Sequence, residues 1–347
     1  AGDVDGDGDI DIAVAGGGTN KIYWLENNGS QSFTSREVDS DDNPRSIFII
    51  DIDSDGDMDL ITVYYGDDQL DWYESDGAAD PSFTRRSIST TVDGGVSVYA
   101  ADMDNDGDID ILAAATEEDK IYWFESNGAT DPSFSATTIT SSADGIYSVY
   151  AKDLDNDGDM DILSASATDD KIAWYDNNGA ADPTFTARTI TTSADGAVSV
   201  FAADLDGDGD QDVISASLTD DKINWYENGL SAFGAHSFTA ADIATSADGA
   251  FSVFAADMDN DGDMDIVSAS EYDHTIAWYE NNGAADPSWT AADIANSAAG
   301  ATSVFAADMD NDGDMDIVSA SEYDHAIAWY ENNGAADPSW TAADIAN

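Results

Sequence analysis

Short runs of alternating apolar and polar residues recur along this chain on a frame of about 51 residues. Between residues 148 and 198 the runs are Ser148–Lys152 (SVYAK), Met160–Ser166 (MDILSAS), Lys171–Asp176 (KIAWYD) and Thr184–Thr191 (TFTARTIT). Alternation over so few residues, rich in β-branched and aromatic side chains, is the pattern of a half-buried strand. Ala167-Thr168-Asp169-Asp170 and Asn177-Asn178-Gly179 carry the turn residues of hairpins, and Ser193–Gly196 leads into the next unit. No stretch repeats at 3.6 residues over the length of a helix. Four short antiparallel strands in each of seven units predict an all-β chain, a seven-bladed β-propeller of four-stranded blades.

The units run over residues 1–45, 46–96, 97–147, 148–198, 199–251, 252–302 and 303–347, within a single domain. Adjacent residues of a strand point to opposite faces, so Ile172, Trp174 and Tyr175, like Ile276, Trp278 and Tyr279, are expected to pack on both neighbouring blades. The units are unequal. Residues 257–296 and 308–347 differ only at Thr275 against Ala326, and the fifth unit has a longer segment from Gly229 to His236. In the first unit only Ala1 and Gly2 precede the point where the others place a leading strand. That leaves 27 strands, and the frame reads as part of a longer polypeptide.

Between the first and second strands of every unit lies D-x-D-x-D-G-D-x-D, with copies starting at Asp3, Asp51, Asp102, Asp153, Asp204, Asp257 and Asp308. Five carboxylates in nine residues repel one another unless a cation sits among them. Asp at positions 1, 3 and 5, Gly at 6 and a main-chain carbonyl at 7 suit calcium, a hard ion that takes six to eight oxygens. The candidate ligands in the first three copies are Asp3, Asp5, Asp7, Asp9 and Asp11; Asp51, Asp53, Asp55, Asp57 and Asp59; and Asp102, Asp104, Asp106, Asp108 and Asp110. The next two offer Asp153, Asp155, Asp157, Asp159 and Asp161, then Asp204, Asp206, Asp208, Asp210 and Asp212. The last two offer Asp257, Asp259, Asp261, Asp263 and Asp265, then Asp308, Asp310, Asp312, Asp314 and Asp316. In the sixth copy Asp257, Asp259, Asp261 and Asp265 are expected to give side-chain oxygens, and Asp263 its carbonyl. About seven structural Ca²⁺ ions are therefore anticipated.

The formal charge is −63, and seven calcium ions would leave −49. Nucleic acids and anionic membranes need a basic surface, so neither is an expected partner. No apolar run approaches the ~18 residues of a membrane span. There is no cysteine, so any staples are metal ions rather than disulfides.

The nonapeptide, preceded by a Ser-Val-x-x-x strand and followed by an aromatic strand ending Asn-x-Gly, resembles the FG-GAP/VCBS repeat family. That family includes the propeller of integrin α-subunits and many secreted or surface proteins of microbes. The resemblance covers nearly the whole chain. It implies a seven-bladed propeller with calcium in the loop joining the first two strands of a blade. The Phe-Gly and Gly-Ala-Pro signatures of integrin repeats are missing, and all seven units carry the metal loop, so the microbial VCBS type is the closer likeness.

Function is expected to be that of a calcium-stabilised extracellular module for recognition, adhesion or scaffolding, secreted or on the cell surface, whose partner is a protein or glycan there or in the matrix. A calcium-dependent lectin is the alternative, and a polysaccharide-acting enzyme comes third. No enzyme activity is expected, because a catalytic site would occupy one place among repeated units and the histidines are few. His274 and His325 align with Lys171 and its counterparts as polar strand starts, and His236 reads as a surface-loop residue. Trp24, Trp72, Trp123, Trp174, Trp225, Trp278 and Trp329 lie mid-strand and read as core rather than sugar platforms. Any ligand site is expected at the turns between the second and third strands, which vary most.

Overall fold

The computed structural model describes residues 1–30, 32–41, 43–230 and 236–346. Among them the regular elements are 27 strands, the number expected from the repeat frame. Among the described residues no helix is long and apolar enough to cross a membrane. The strands form seven antiparallel sheets in chain order, six of four strands and the first of three. This is a seven-bladed β-propeller.

In the fourth blade the strands are Ile146–Lys152, Asp161–Ser166, Lys171–Asn177 and Phe185–Thr191, within two residues of the runs read from alternation. The second strand is the most buried of each complete blade. Asp110–Ala115, for instance, is buried at every position, because its small and aliphatic side chains are covered on both faces. The outer strand, such as Phe134–Thr140, is mostly exposed and Thr-rich, as suits an edge with one wet face.

Two compact units divide the chain: Ala1–Ala151 with Asp159–Ser164 and Tyr175–Ala187, and Lys152–Gly158 with Ala165–Trp174 and Arg188–Asn347. In the first, Leu70 and Trp72 pack with Val98, Ala100, Ile111 and Ala113 of the following blade. Tyr73, on the opposite face, packs with Ile22 and Val38 of the preceding one. In the second unit Ile276 and Trp278 join Ala301, Val304 and Ile317 of the next blade, while Tyr279 joins Ile214 and Trp225 of the previous one. One aromatic pair per strand thus serves both neighbours, as expected. All seven mid-strand tryptophans are buried. Trp289 and Trp340 are partly buried against the same clusters, and the Trp340 ring meets Trp278 edge-on at 6.5 Å.

Candidate metal centres

The acidic nonapeptide folds the same way wherever it is described. In the sixth copy the backbone N–H of Gly262 donates to Asp257 Oδ2 at 3.0 Å and that of Asp261 to Asp257 Oδ1 at 3.1 Å. Asp261 N–H also lies 3.2 Å from Asp259 Oδ1, and Asp263 N–H donates to Asp261 Oδ1 at 2.9 Å. These bonds curl the chain around its first carboxylate. Two left-handed residues make the curl: Asn260 at φ 60° and Gly262 at φ 99°. The second angle lies outside the region open to L-residues, so position 6 needs glycine for its backbone, not for space.

Position 9 has a second role that the spacing alone did not reveal. Asp265 is 1% exposed. Its Oδ2 accepts from Met258 N–H at 3.1 Å and its Oδ1 from Asn281 N–H at 2.7 Å, tying the loop to the end of the third strand. Asp11, Asp59, Asp212 and Asp316 make the same pair of bonds. Burial pushes Asp265 up to about 7 despite those donors. The Trp278 indole N–H, outside ordinary hydrogen-bonding geometry, adds to the downward pull of those donors. Asp59, Asp110, Asp212 and Asp316 are likewise pushed to about 7, and Asp11 to about 6. Position 3 is raised too, by burial first and then by its acidic neighbours, in Asp53, Asp104 and Asp259.

The donor set fits a hard divalent cation. Ligand oxygens of Asp3, Asp5 and Asp11 lie within 4.8 Å of one another, as do those of Asp51, Asp53 and Asp59, of Asp102, Asp104 and Asp106, and of Asp204, Asp206 and Asp208. Asp3 Oδ1 is buried with no hydrogen-bond donor. Carboxylates so placed are costly to ionise together.

Position 7 behaves differently. The Asp263 carboxylate lies against Gly283 of the turn after the third strand, where a Cβ would overlap it. Asp314, at the same place in the seventh blade, accepts from Asn260 Nδ2 of the sixth at 2.7 Å. Asn156 reaches Asp210 in the same way at 3.1 Å. The position-7 side chain therefore latches neighbouring loops. Asn281 and Asn332 add a second, buried latch, donating 2.7 Å bonds to the Leu205 and Met258 carbonyls of the preceding loops. Gly283→Ala puts a methyl into the Asp263 carboxylate at φ 64°. It is expected to destabilise the chain by roughly 2–4 kcal/mol in denaturant titration.

A family model for the FG-GAP-like repeat matches residues 3–62, 51–113, 102–164, 153–215, 204–268 and 257–319. The chain belongs to the FG-GAP-like repeat family. Among curated protein sequences none matches it significantly. Solved structures share the fold of this FG-GAP-like chain at low identity. A Lactobacillus plantarum protein is 14% identical over 92% of this chain and 90% of its own, with a TM-score of 0.65. A Bacteroides uniformis protein assigned as a 6-phosphogluconolactonase is 12% identical over 97% and 98%, also with a TM-score of 0.65. The periplasmic gluconolactonase of Pseudomonas aeruginosa is 11% identical over 94% of both chains, with a TM-score of 0.60.

These neighbours correct the expectation that the chain is not an enzyme. Two proteins built on this fold carry lactonase names, so the repetition of acidic loops is no ground for excluding chemistry. Histidines and repeated acids are not the only chemistry-bearing groups of the chain, because some residues break the repeat. Blade two of this FG-GAP-like chain holds such a group. Arg85 donates through Nε and Nη2 to Asp71 Oδ2 at 2.9 and 2.6 Å, through Nη1 to Asp39 at 3.2 Å, and pairs with Asp41. Tyr73 donates to Asp39 at 2.8 Å and meets the Tyr64 hydroxyl. Asp71 is fully buried, and burial raises it against the pull of Arg85. The available signal was Asp71 itself, standing where blades four and six have Ala173 and Ala277.

The histidines also move. His274 and His325 sit in the turn before the third strand, at φ 63° and 58°, where blades four and five have Asp170 and Asp221. His274 Nδ1 accepts from Gly300 N–H at 3.1 Å, replacing the Asp170 oxygen that accepts from Gly196 N–H. The alignment with Lys171 was off by one residue, because strand alternation does not mark a left-handed turn position. His236 opens the outer strand of blade five, bonded to Asn228 Oδ1 at 2.9 Å and edge-on to Trp174. The remainder of its segment, 231–235, lies outside the described residues.

Proposed function

We propose that the chain is a calcium-stabilised recognition or scaffold module that works outside the cell, with one ion closing each acidic loop. The observation that carries this reading is the gathering of carboxylate oxygens within 4.8 Å in loop after loop. Positions 1, 3, 5 and 9 would hold the ion by side chains and position 7 by its carbonyl, so in the sixth loop Asp257, Asp259, Asp261, Asp265 and the Asp263 main chain. Bound calcium would supply the positive charge that lets these groups ionise side by side. A Kd of roughly 10⁻⁴–10⁻³ M, the range of extracellular calcium modules, is the affinity that secretion or surface display expects of these loops. The partner is a surface or matrix protein or glycan. Recognition is assigned to the variable turns, where Tyr272 and Tyr323 are 52% and 54% exposed.

Calorimetric titration of the chelator-stripped chain tests the metal reading. One ion per acidic loop is expected, and a stoichiometry of one or none would sink it. A glycan array with and without calcium tests the lectin form, in which binding should vanish in Tyr272→Ala/Tyr323→Ala.

A second reading rests on the unrepeated Asp71–Arg85–Asp39–Tyr73 group together with the lactonase names borne by two proteins of this fold. In it, the chain opens a sugar lactone at blade two. Turnover of glucono-δ-lactone above the spontaneous rate, lost in Arg85→Ala, would favour this reading. No turnover by the intact chain would remove it.

A further inference from the structure

Residue 224 breaks the repeat in blade five. The place just before the mid-strand tryptophan holds Tyr23, Asp71, Tyr122, Ala173, Ala277 and Ala328 in the other six blades, and Asn224 in this one. Its strand, Lys222–Leu230, lies between Asp212–Ser217 and His236–Ala244. Alternate residues of a strand share a face, so Lys222, Asn224 and Tyr226 stand in one row. Across the ladder Asp242 faces Asn224 and Ala240 faces Tyr226.

That row and Asp242 line a cavity of about 190 Å³, together with Thr191 and Ser193 of blade four. Its base is buried and its rim is open: Asn224 is 7% and Tyr226 2% exposed, whereas Asp242 and Ser193 are exposed. Asn224 Oδ1 accepts from no described donor. At the other end of the amide, Nδ2 lies 3.5 Å from the Tyr226 hydroxyl, which is itself 3.3 Å from Ser215 Oγ. A buried amide so poorly matched within the fold is costly, and a molecule that enters the cavity and bonds to it recovers that cost.

Blade two shows why the space is there. Its Arg85 stands opposite Tyr73, the counterpart of Tyr226, and pairs with Asp71, the counterpart of Asn224. Blade five has Ala240 in the place of the arginine. The room that a guanidinium takes is therefore open, and Asn224 is without the partner that Asp71 has. In blade six the same two places hold Ala277 and Ala291, small apolar side chains that need no partner.

The charges around the cavity select its ligand. Lys222 Nζ lies 3.3 Å from Asp242 Oδ1 and 3.8 Å from Asp220 Oδ2, so a cation's place is already filled. An anion would meet those two aspartates, and a second cation would meet the lysine. What remains are neutral groups that both donate and accept: the Asn224 amide and the hydroxyls of Tyr226, Thr191 and Ser193. The hydroxyls of a neutral polyol match that set, because each of them also donates and accepts. The volume lies below the roughly 300–1,000 Å³ of pockets for drug-sized molecules, which suits a single ring.

We infer that this cavity binds a neutral polyhydroxylated ring, a single sugar or cyclitol unit, with Asn224 at its base as the group that selects it. Lys222 and Asp242 grip further hydroxyls as donor and acceptor. None of the residues lining the site belongs to an acidic loop or to the turns that carry Tyr272 and Tyr323.

The test titrates glucose, galactose, mannose and myo-inositol to high millimolar concentration against the whole chain in calcium, with glucuronate and glucosamine as charged controls. Nuclear magnetic resonance follows the Asn224 side-chain amide and the backbone amides of Ser193 and Asp242. Saturable shifts of all three with at least one neutral probe are expected. Asn224→Ala, which restores the alanine of blades four and six, should weaken that binding about tenfold, read at Ser193 and Asp242, as the loss of one or two hydrogen bonds would. The variant should keep or raise the melting temperature, because the amide it removes is poorly matched in the fold. No saturable shift with any neutral probe overturns the inference. So do shifts confined to the Tyr272 and Tyr323 turns, tighter binding of glucuronate or glucosamine than of glucose, or undiminished binding by the variant. A lower melting temperature of the variant would mean that the fold itself satisfies the amide, and counts equally against it.

Discussion

Excess EGTA at pH 7.5 is expected to lower the melting temperature by about 14 °C relative to the same chain in millimolar calcium. At tenfold excess over Kd, each site stabilises the folded chain by about 1.4 kcal/mol, and seven independent sites by roughly 10 kcal/mol. An unfolding entropy near 2.1 cal/mol/K per residue converts that to the stated shift for 347 residues. The estimate is a lower bound if the stripped loops also repel themselves open. Differential scanning calorimetry reads the effect directly. Superimposable traces with and without chelator would show that the loops hold no stabilising ion.

The second large effect concerns Asp265. Asp265→Ala removes the acceptor of two buried N–H groups, those of Met258 and Asn281. Each orphaned group costs about 1–3 kcal/mol, so a loss of roughly 2–6 kcal/mol is expected even in EGTA, where no ion contributes. Loss confined to calcium-containing buffer would mean that the aspartate acts only as a ligand.

The same residue sets a pH dependence in the stripped chain. Its folded pKa is raised from 3.8 to about 7, so the native state holds a proton that the unfolded state releases. Stability therefore falls as pH rises between those values. Asp59, Asp110, Asp212 and Asp316 act in the same direction. Denaturant melts in EGTA at pH 5 and pH 7.5 should show the stripped chain more stable at the lower pH. Asp265→Asn, which has no proton to lose there, should reduce the difference by one aspartate's share and leave that of the others.

Much of this was legible in the residues because a strand's alternation and a metal loop's spacing are local. Trp278 and Tyr279 are adjacent, so their assignment to two different blades follows from the pleat alone. Gly262 betrays its backbone angle by having no side chain. His274 was misplaced because a left-handed turn residue and a strand start differ by one position that polarity does not mark. The Arg85 group escaped because Asp39 and Asp71 are 32 residues apart in the chain and meet only when two blades pack. A search for repeated chemistry also passes over what occurs once.

The order of residues by itself determined the strands, their number, the blade count and the nonapeptide that collects acids, since each depends on neighbours within a few positions. Tertiary structure alone decided that position 9 is a buried acceptor of two backbone donors and that position 7 latches adjacent loops. Those properties arise where separate repeats touch, and contact across a distance of one repeat leaves no mark on local spacing.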